Sequence, residues 1–466
     1  MKDKKSRAPA SVENIYKLDG RVPVAKAIPF GLQHVLAMFV ANVTPVMLIA
    51  GVAQYNGVAF TAIDTALLIQ AAMLIAGIGT LIQLYPVWRI GSRLPVVMGL
   101  SFTFLSAMMT LAARDYGLMV GAVIVGGCIE GLLGLTAKYW RRFVSPIVSA
   151  CVVTSIGFSL LSTGISSFAS SSVYPTGAWQ NLLVAVITLA ACLIYNSFAK
   201  GFWKQLYVLF GLAVGYIVSL FFGMVDFASM KNTVQELGIV ALPKLFAYTP
   251  KFDLGAIVSV TLVFLVSAAE TIGDTSAVCT GGLGREITEK EVSGSLGCDG
   301  FISAISGGVF GCPPITSFSQ NVGLVAMTKV VNRFTIMFGA LTLIIAGLFP
   351  PVGAFFSTLP DCVLGGCTVI MFGAIIVSGV TMLGECGFDQ RNTIIAATSF
   401  AIGIGVTQVP AFFSGMPQIV SDIFANNPVA GVFVVAMVLS LALPKKVKPE
   451  NVDALTEETM ESKKPE

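Results

Sequence analysis

The chain has 466 residues, of which only 11% are charged and 55% are hydrophobic, whereas an average soluble domain carries roughly 25% charged residues. Residues 1–26 hold 10 of the 53 charges and residues 445–466 hold 11, so the 418 residues between them share 32, and mean hydropathy is +0.84. This excludes a soluble globule, which could not cover its surface, and a disordered chain, which needs low hydrophobicity. A net charge of +3 without a basic stripe leaves no footprint for nucleic acid. The composition is that of a polytopic membrane protein.

A helix needs roughly 20 mainly apolar residues to cross a bilayer. A polar tail, residues 1–26, opens the chain without the apolar core of a signal peptide. The sequence then predicts spans near 27–52, 62–85, 94–110, 116–137, 145–165, 181–198, 203–223, 255–279, 293–310, 314–328, 333–355, 361–383, 391–408 and 428–444, followed by a polar tail at 445–466. The third and tenth of these fourteen are short and interrupted by Gly and Pro. Cytoplasmic loops collect positive charge. With both termini cytoplasmic, 24 of the 28 Lys and Arg fall inside, among them Arg89, Arg93, Lys138, Arg141 and Arg142, and only Arg114, Lys231, Lys244 and Lys251 fall outside. One span more or fewer would scramble that alternation. The nine cysteines, without a CxxC pair, read as small buried hydrophobes.

Two halves of seven spans must be inverted relative to one another, because seven is odd. Ser101-Phe102 in span 3 recurs as Ser317-Phe318 in span 10, at an offset of 216; Pro146 opens span 5 and Pro360 opens span 12, at an offset of 214. The fold class predicted is therefore an all-α polytopic membrane protein, with 14 transmembrane segments as a 7+7 inverted repeat and short extended segments in spans 3 and 10. In such folds, interrupted helices at corresponding positions point to a central binding site.

Span 10 packs Pro313, Pro314, Thr316, Ser317, Ser319, Gln320 and Asn321 into a short stretch. The prolines block helical hydrogen bonding, and a helix beginning around Asn321 aims its free N–H groups at whatever lies before it. Span 3 offers the mirrored half through the Ser101-Phe102 backbone. Ionisable groups inside a membrane mark function, because each costs on the order of 2.5–3.5 kcal/mol at a helix centre. Glu270 and Asp274 lie four residues apart on one face of span 8. Glu270, flanked by small residues, reads as a ligand or proton group. Asp274, and Asp299 in span 9, fit either the site or a tie between helices. Glu130 reads as structural and nearer the interface, and His34, the only histidine, as a helix–helix hydrogen bond.

Enzymatic chemistry finds no support. Thr271-Ile-Gly-Asp274 lacks the first glycine of an intramembrane aspartyl protease motif. No nucleophile elbow accompanies any serine, and neither a metal cluster nor a phosphate loop is present.

Gln320-Asn321-Val322-Gly323, followed after four residues by Thr328-Lys329, resembles the signature of the nucleobase–ascorbate transporter (nucleobase:cation symporter-2) family at every specified position. Gln33-His34, Ser101-Phe102, Glu270 to Asp274 and Asp299-Gly300 extend the likeness along the chain, which looks like a bacterial xanthine/uric acid permease of the plasma (inner) membrane. The resemblance implies a core domain of spans 1–4 (27–137) and 8–11 (255–355) and a gate domain of spans 5–7 (138–224) and 12–14 (361–444). It also implies a homodimer, an elevator-like motion of core against gate, and no cofactor. Glu270 and Gln320 would bind the purine through their side chains, joined by the Phe102 and Ser319 backbones beside Ser101. Asn321, Asp299, Asp274, His34 and Thr328 would organise the site or serve coupling. Val322 stands where many xanthine transporters have a second Asn, which leaves the choice of xanthine or uric acid open.

Xanthine alternates carbonyl and N–H groups, which suits a carboxylate and an amide side by side. Because desolvation disfavours a buried charge, protonation can accompany loading. The expected coupling ion is H⁺, with Na⁺ the alternative. The rival readings are an anion transporter of the sulfate-permease type and a passive channel. Relatives of the former usually append a soluble C-terminal domain, and only about 22 polar residues follow Pro444.

Overall fold

The computed structural model describes residues 11–140, 145–425 and 427–444. The first ten residues of the N-terminal tail, Arg141 and Arg142, and the tail at 445–466 lie outside the described residues. After a 3-10 turn at Val12–Tyr16 the chain forms α1 (Val24–Ala50), a hairpin of β1 (Gln54–Tyr55) and β2 (Val58–Ala59), and α2 (Ala62–Leu84). Strand β3 (Met98–Leu100) leads through a 3-10 turn at Phe102–Phe104 into α3 (Leu105–Arg114). Then come α4 (Tyr116–Leu135), α5 (Ala137–Trp140), α6 (Pro146–Phe168), α7 (Trp179–Phe198), α8 (Tyr207–Phe221), α9 (Phe227–Leu237) and α10 (Leu254–Ala277). The remainder is α11 (Glu289–Phe310), β4 (Ile315–Ser317), α12 (Ser319–Thr328), α13 (Arg333–Gly347), α14 (Pro350–Phe356), α15 (Asp361–Cys386), α16 (Gln390–Gly405), α17 (Gln418–Phe424) and α18 (Pro428–Ala442).

Among the described residues eight helices are long and apolar enough to cross a membrane, or up to ten with two bent pairs counted as single spans. Leu182, Val186, Leu193 and Ile194 on α7, and Phe210, Ile217 and Phe221 on α8, are exposed. Such outward-facing apolar surface suits lipid rather than water. The chain is a multi-pass integral membrane protein.

Helix α4 lies along α10 and α11, α13 along α1 and α2, and α6 along α15, while α7 packs on α8 and α16 on α18. Glycine sets the closest of these approaches. A Cβ on Gly300 of α11 would fall 2.1 Å from the backbone nitrogen of Gly131 in α4, and one on Gly127 would fall 2.7 Å from the Gly300 carbonyl oxygen. The two backbones touch, which is how helices associate where lipid removes the hydrophobic drive. Between them they fix Asp299 beside α10.

Part of the segment read as a polar tail is docked. The Asn332 side-chain amide donates to the carbonyls of Asn14, Lys17 and Gly20 at 2.9, 3.0 and 3.1 Å. Arg333 pairs with Asp19, and Ile15, Val22 and Ala27 are buried. Other differences have local causes. The span expected at 333–355 bends by 81° between α13 and α14, because Pro350 has no N–H to continue the helix and instead opens a new one. Asn56 and Gly57, at φ of 51° and 80°, provide the two left-handed residues of the β1–β2 hairpin. Helix α12 begins at Ser319, two residues before the expected Asn321.

Gly300→Ala must push α4 from α11 and is expected to cost about 1–3 kcal/mol, read as a lower unfolding midpoint in detergent. Gly373→Ala on α15, where a Cβ meets nothing within 4 Å, leaves the midpoint unchanged or slightly raised.

Candidate functional site

Strands β3 and β4 pair antiparallel in the middle of the fold, with Met98 opposite Ser317, Gly99 opposite Thr316 and Leu100 opposite Ile315. Open strand edges are not tolerated in lipid, because each unpaired peptide group is costly. Here side chains of the surrounding helices complete them. Met98 N–H donates to Thr80 Oγ1 (2.9 Å) and Leu100 N–H to Asn42 Oδ1 (2.8 Å). Ile315 N–H donates to Ser303 Oγ (3.1 Å) and Ser317 N–H to Asp299 Oδ2 (3.1 Å). Each strand runs into a short helix, β3 through the Ser101-capped turn into α3 and β4 through Phe318 into α12. Phe318 caps nothing with its side chain, so the first N–H groups of α12 lie uncapped at Ser319 and Gln320.

A cavity of about 620 Å³ opens in front of these helix starts. One wall is polar: Ser101, Phe102 and Thr103, then Glu270 and Asp274 from α10, then Ser317, Ser319 and Gln320. The opposite wall comes from α6 (Ser149, Val153, Ile156) and from one face of α15 (Met371, Ala374, Ile375, Ser378, Met382, Glu385). The walls meet through aromatic rings, with Phe102 edge-on to Phe372 at 5.6 Å between centroids.

The carboxylates are held by hydroxyls. Thr103 donates to Glu270 Oε2 at 2.6 Å, and Ser319 Oγ lies 3.2 Å from Glu270 Oε1 and 2.9 Å from Asp274 Oδ2. Ser317 Oγ lies 3.0 Å from Asp274 Oδ2 and 3.2 Å from Thr271 Oγ1. Asp299 is buried behind β4, accepting from Thr271 (2.5 Å), from Gln83 Nε2 (3.2 Å) and from the Ser317 N–H. None of the ion pairs found among the described residues reaches these three acids. A planar ligand with N–H and carbonyl edges would find acceptors at Glu270, both functions at Gln320, and backbone donors at the helix starts.

Five residues singled out from the sequence therefore line the cavity together: Glu270, Gln320, Ser101, Phe102 and Ser319, with Asp274 beside them. Asp299, His34 and Asn321 stand behind it. His34 Nδ1 donates to Asn321 Oδ1 at 2.5 Å, and the Asn321 amide returns a bond to the His34 carbonyl at 3.3 Å. Thr328 does not join them. It ends α12, nine residues after Ser319 and roughly 13 Å along the axis, with its hydroxyl turned back to the Leu324 carbonyl at 2.8 Å. Glu130, expected nearer the interface, is buried on α4 with both carboxyl oxygens lacking a partner among the described residues. Thr103, Thr271, Gln83, Asn42 and Thr80 were missed. Uncharged polar residues at membrane depth were the signal that could have found them.

The chain is similar to known proteins over most of its length. The Permease family profile, Xan_ur_permease, matches residues 25–412. The xanthine permease XanQ of Escherichia coli (strain K12) is 32% identical over 460 residues, covering 95% of this chain and 96% of that protein. A xanthine permease of Bacillus subtilis (strain 168) is 33% identical over 422 residues, covering 89% and 93%. Among solved structures, the murine anion transporter Slc26a9 in its inward-facing state superposes with a TM-score of 0.60 at 11% identity, covering 97% of this chain and 76% of that one, a likeness of fold alone. The family model covers residues 25–412 and the xanthine permeases match over nearly the whole chain, so the chain belongs to the Xan_ur_permease family, that of the nucleobase:cation symporter-2 transporters.

Proposed function

We propose that this protein is a secondary active transporter that imports an oxidised purine base, xanthine or uric acid, by proton symport. The observation that carries the reading is the cavity at β3–β4, where the Glu270 carboxylate and the Gln320 amide stand beside two helix starts. Glu270 accepts purine N–H groups, Gln320 both donates and accepts, and the uncapped N–H groups at Ser319 and Gln320 meet carbonyl oxygens. The xanthine permeases among its relatives support the substrate class. An inorganic anion suits the cavity poorly, since carboxylates and no Lys or Arg line it.

The fourteen-span, 7+7 inverted arrangement belongs to this proposal, and the helix contacts support it. Numbering the expected spans in order, span 4 packs on span 9 (α4 on α11) and span 2 on span 11 (α2 on α13), which are the same pair under exchange of the halves. Spans 1 and 11 (α1, α13) match spans 8 and 4 (α10, α4), and spans 6 and 7 (α7, α8) match spans 13 and 14 (α16, α18). The same contacts support a core of residues 27–137 and 255–355 against a gate of 138–224 and 361–444, and the family resemblance adds a homodimer and elevator-type exchange to the proposal. With both termini cytoplasmic, the cavity's outlying lining at Pro146, Gln205, Met382 and Glu385 lies at cytoplasmic helix ends, so the conformation is inward-facing.

Two experiments test the reading. Glu270→Gln and Gln320→Glu are each expected to reduce labelled xanthine uptake by at least about tenfold, equivalent to roughly 1.4 kcal/mol in binding, with membrane insertion intact; normal xanthine and urate kinetics in both variants would refute the site. Uptake should collapse with a protonophore and ignore removal of sodium. The opposite pattern establishes sodium coupling in its place.

A further inference from the structure

Ser319 stands between the two acids of the cavity, and counting hydrogens shows what that position demands. A hydroxyl has one hydrogen to give, and an ionised carboxylate can only accept. Ser319 Oγ is within hydrogen-bond distance of both Glu270 Oε1 (3.2 Å) and Asp274 Oδ2 (2.9 Å). If both acids were ionised, one of these contacts would set two oxygens against each other with no hydrogen between them. The neighbouring hydroxyls cannot fill the gap: Thr103 is committed to Glu270 Oε2 and Thr271 to Asp299, and the hydrogen that Ser317 gives Asp274 Oδ2 at 3.0 Å does not lie between Ser319 Oγ and either acid. One proton shared by the pair satisfies both contacts in either of two arrangements. In one, Asp274 donates to Ser319 and Ser319 donates to Glu270. In the other, Glu270 donates to Ser319 and Ser319 donates to Asp274.

Resting on the proton-symport reading above, we propose that the Ser319 hydroxyl is the relay through which the coupled proton passes between Asp274 and Glu270. In the transfer the Asp274 Oδ2–H bond breaks as Ser319 Oγ takes that proton, and the Ser319 O–H bond breaks as its own proton goes to Glu270 Oε1. The negative charge moves from Glu270 to Asp274, and no further reactant is needed. Glu270 accepts substrate N–H groups while the proton rests on Asp274 and is neutralised when the relay delivers it, and Asp274, a helical turn further along α10, exchanges its proton with the cavity that both acids line. The other titratable groups around Ser319 are Asp299 on α11, reached through Ser317, and His34 on α1, reached through Asn321. Cys279 follows α10 in the turn against α12, Lys204 lies in the 201–206 stretch packed beside α12, and Glu385 lines the cavity from α15. Ser319 acts through the acids it joins and is a positioning and relay residue.

The test is the number of protons moved per xanthine, measured in proteoliposomes with labelled xanthine and an internal pH dye. Ser319 lies in the binding site, so exchange slows in any variant, but the ratio does not depend on how fast the protein works. Wild type should move one proton per xanthine. Ser319→Ala should lower the ratio by on the order of tenfold, and Ser319→Thr, which restores a hydroxyl, should return it to the wild-type value. A wild-type ratio in Ser319→Ala, or a ratio in Ser319→Thr as low as in Ala, overturns the relay. Should Ser319→Ala fail to reach the membrane, Asp274→Asn decides: its ratio should also fall, and a full ratio overturns the relay. Wild type that moves no protons and requires sodium overturns the symport reading itself, before any variant is compared.

Discussion

Six peptide units of extended chain at membrane depth, three in β3 and three in β4, are the constraint from which the rest of the site follows. Lipid offers no partner for a free N–H or carbonyl, so the strands must pair with each other and their outer edges must find side chains. That need accounts for Thr80 on α2, Asn42 on α1, Ser303 on α11 and Asp299 beside it, each placed against a strand N–H. It also explains the glycine seam between α4 and α11, which fixes the helix bearing Asp299 and Ser303. Unwinding two helices is costly, but it leaves two helix starts side by side, and the one at Ser319 and Gln320 is uncapped and can meet a ligand.

The second constraint is charge. Asp299 accepts three donors, one of them a backbone N–H, a supply that suits a carboxylate held in place as part of the frame. Glu270 and Asp274 receive fewer donors and share one of them. The three acids thus divide by surroundings: one is locked into the strand edge, and two stand at the cavity with too few hydrogens between them. Under the proposed symport, substrate N–H groups would make up that shortage at Glu270 and a proton would make it up at Asp274.

Much of the site was legible in the sequence, because its strongest signals are residues that a membrane segment otherwise rejects. Pro313-Pro314 announced the broken span, Glu270 and Asp274 their shared helical face, and Asn321 the start of the half-helix to within two residues. The expected helix start slipped by two residues because Ser319 and Gln320 read as extended polar residues, while in the structure β4 ends at Ser317 and the turn is complete at Phe318. Thr103, Gln83 and Asn42 escaped notice because single hydroxyls and amides are common in apolar helices. What distinguishes these three is a partner 58 to 216 residues away in the chain, which spacing along one helix cannot reveal. The docking of residues 11–22 escaped for the same reason, since Asn332 reaches back more than 300 residues to hold it.

The two walls of the cavity differ in how they are held, which bears on the proposed motion between them. The wall that carries the acids is tied together by short hydrogen bonds among β3, β4, α10 and α11, and none of these bonds crosses to α15 or α6. The facing wall is mostly apolar, with Val153, Ile156, Met371, Ala374 and Ile375 opposite the site and the Phe102–Phe372 rings in contact across the gap. Dispersion contacts between such surfaces are individually weak and nearly indifferent to a small slide, whereas breaking a buried hydrogen bond costs the full desolvation of its partners. A boundary placed between the walls therefore divides the molecule where displacement costs least, and it leaves substrate, Glu270, Ser319 and Asp274 together on one side.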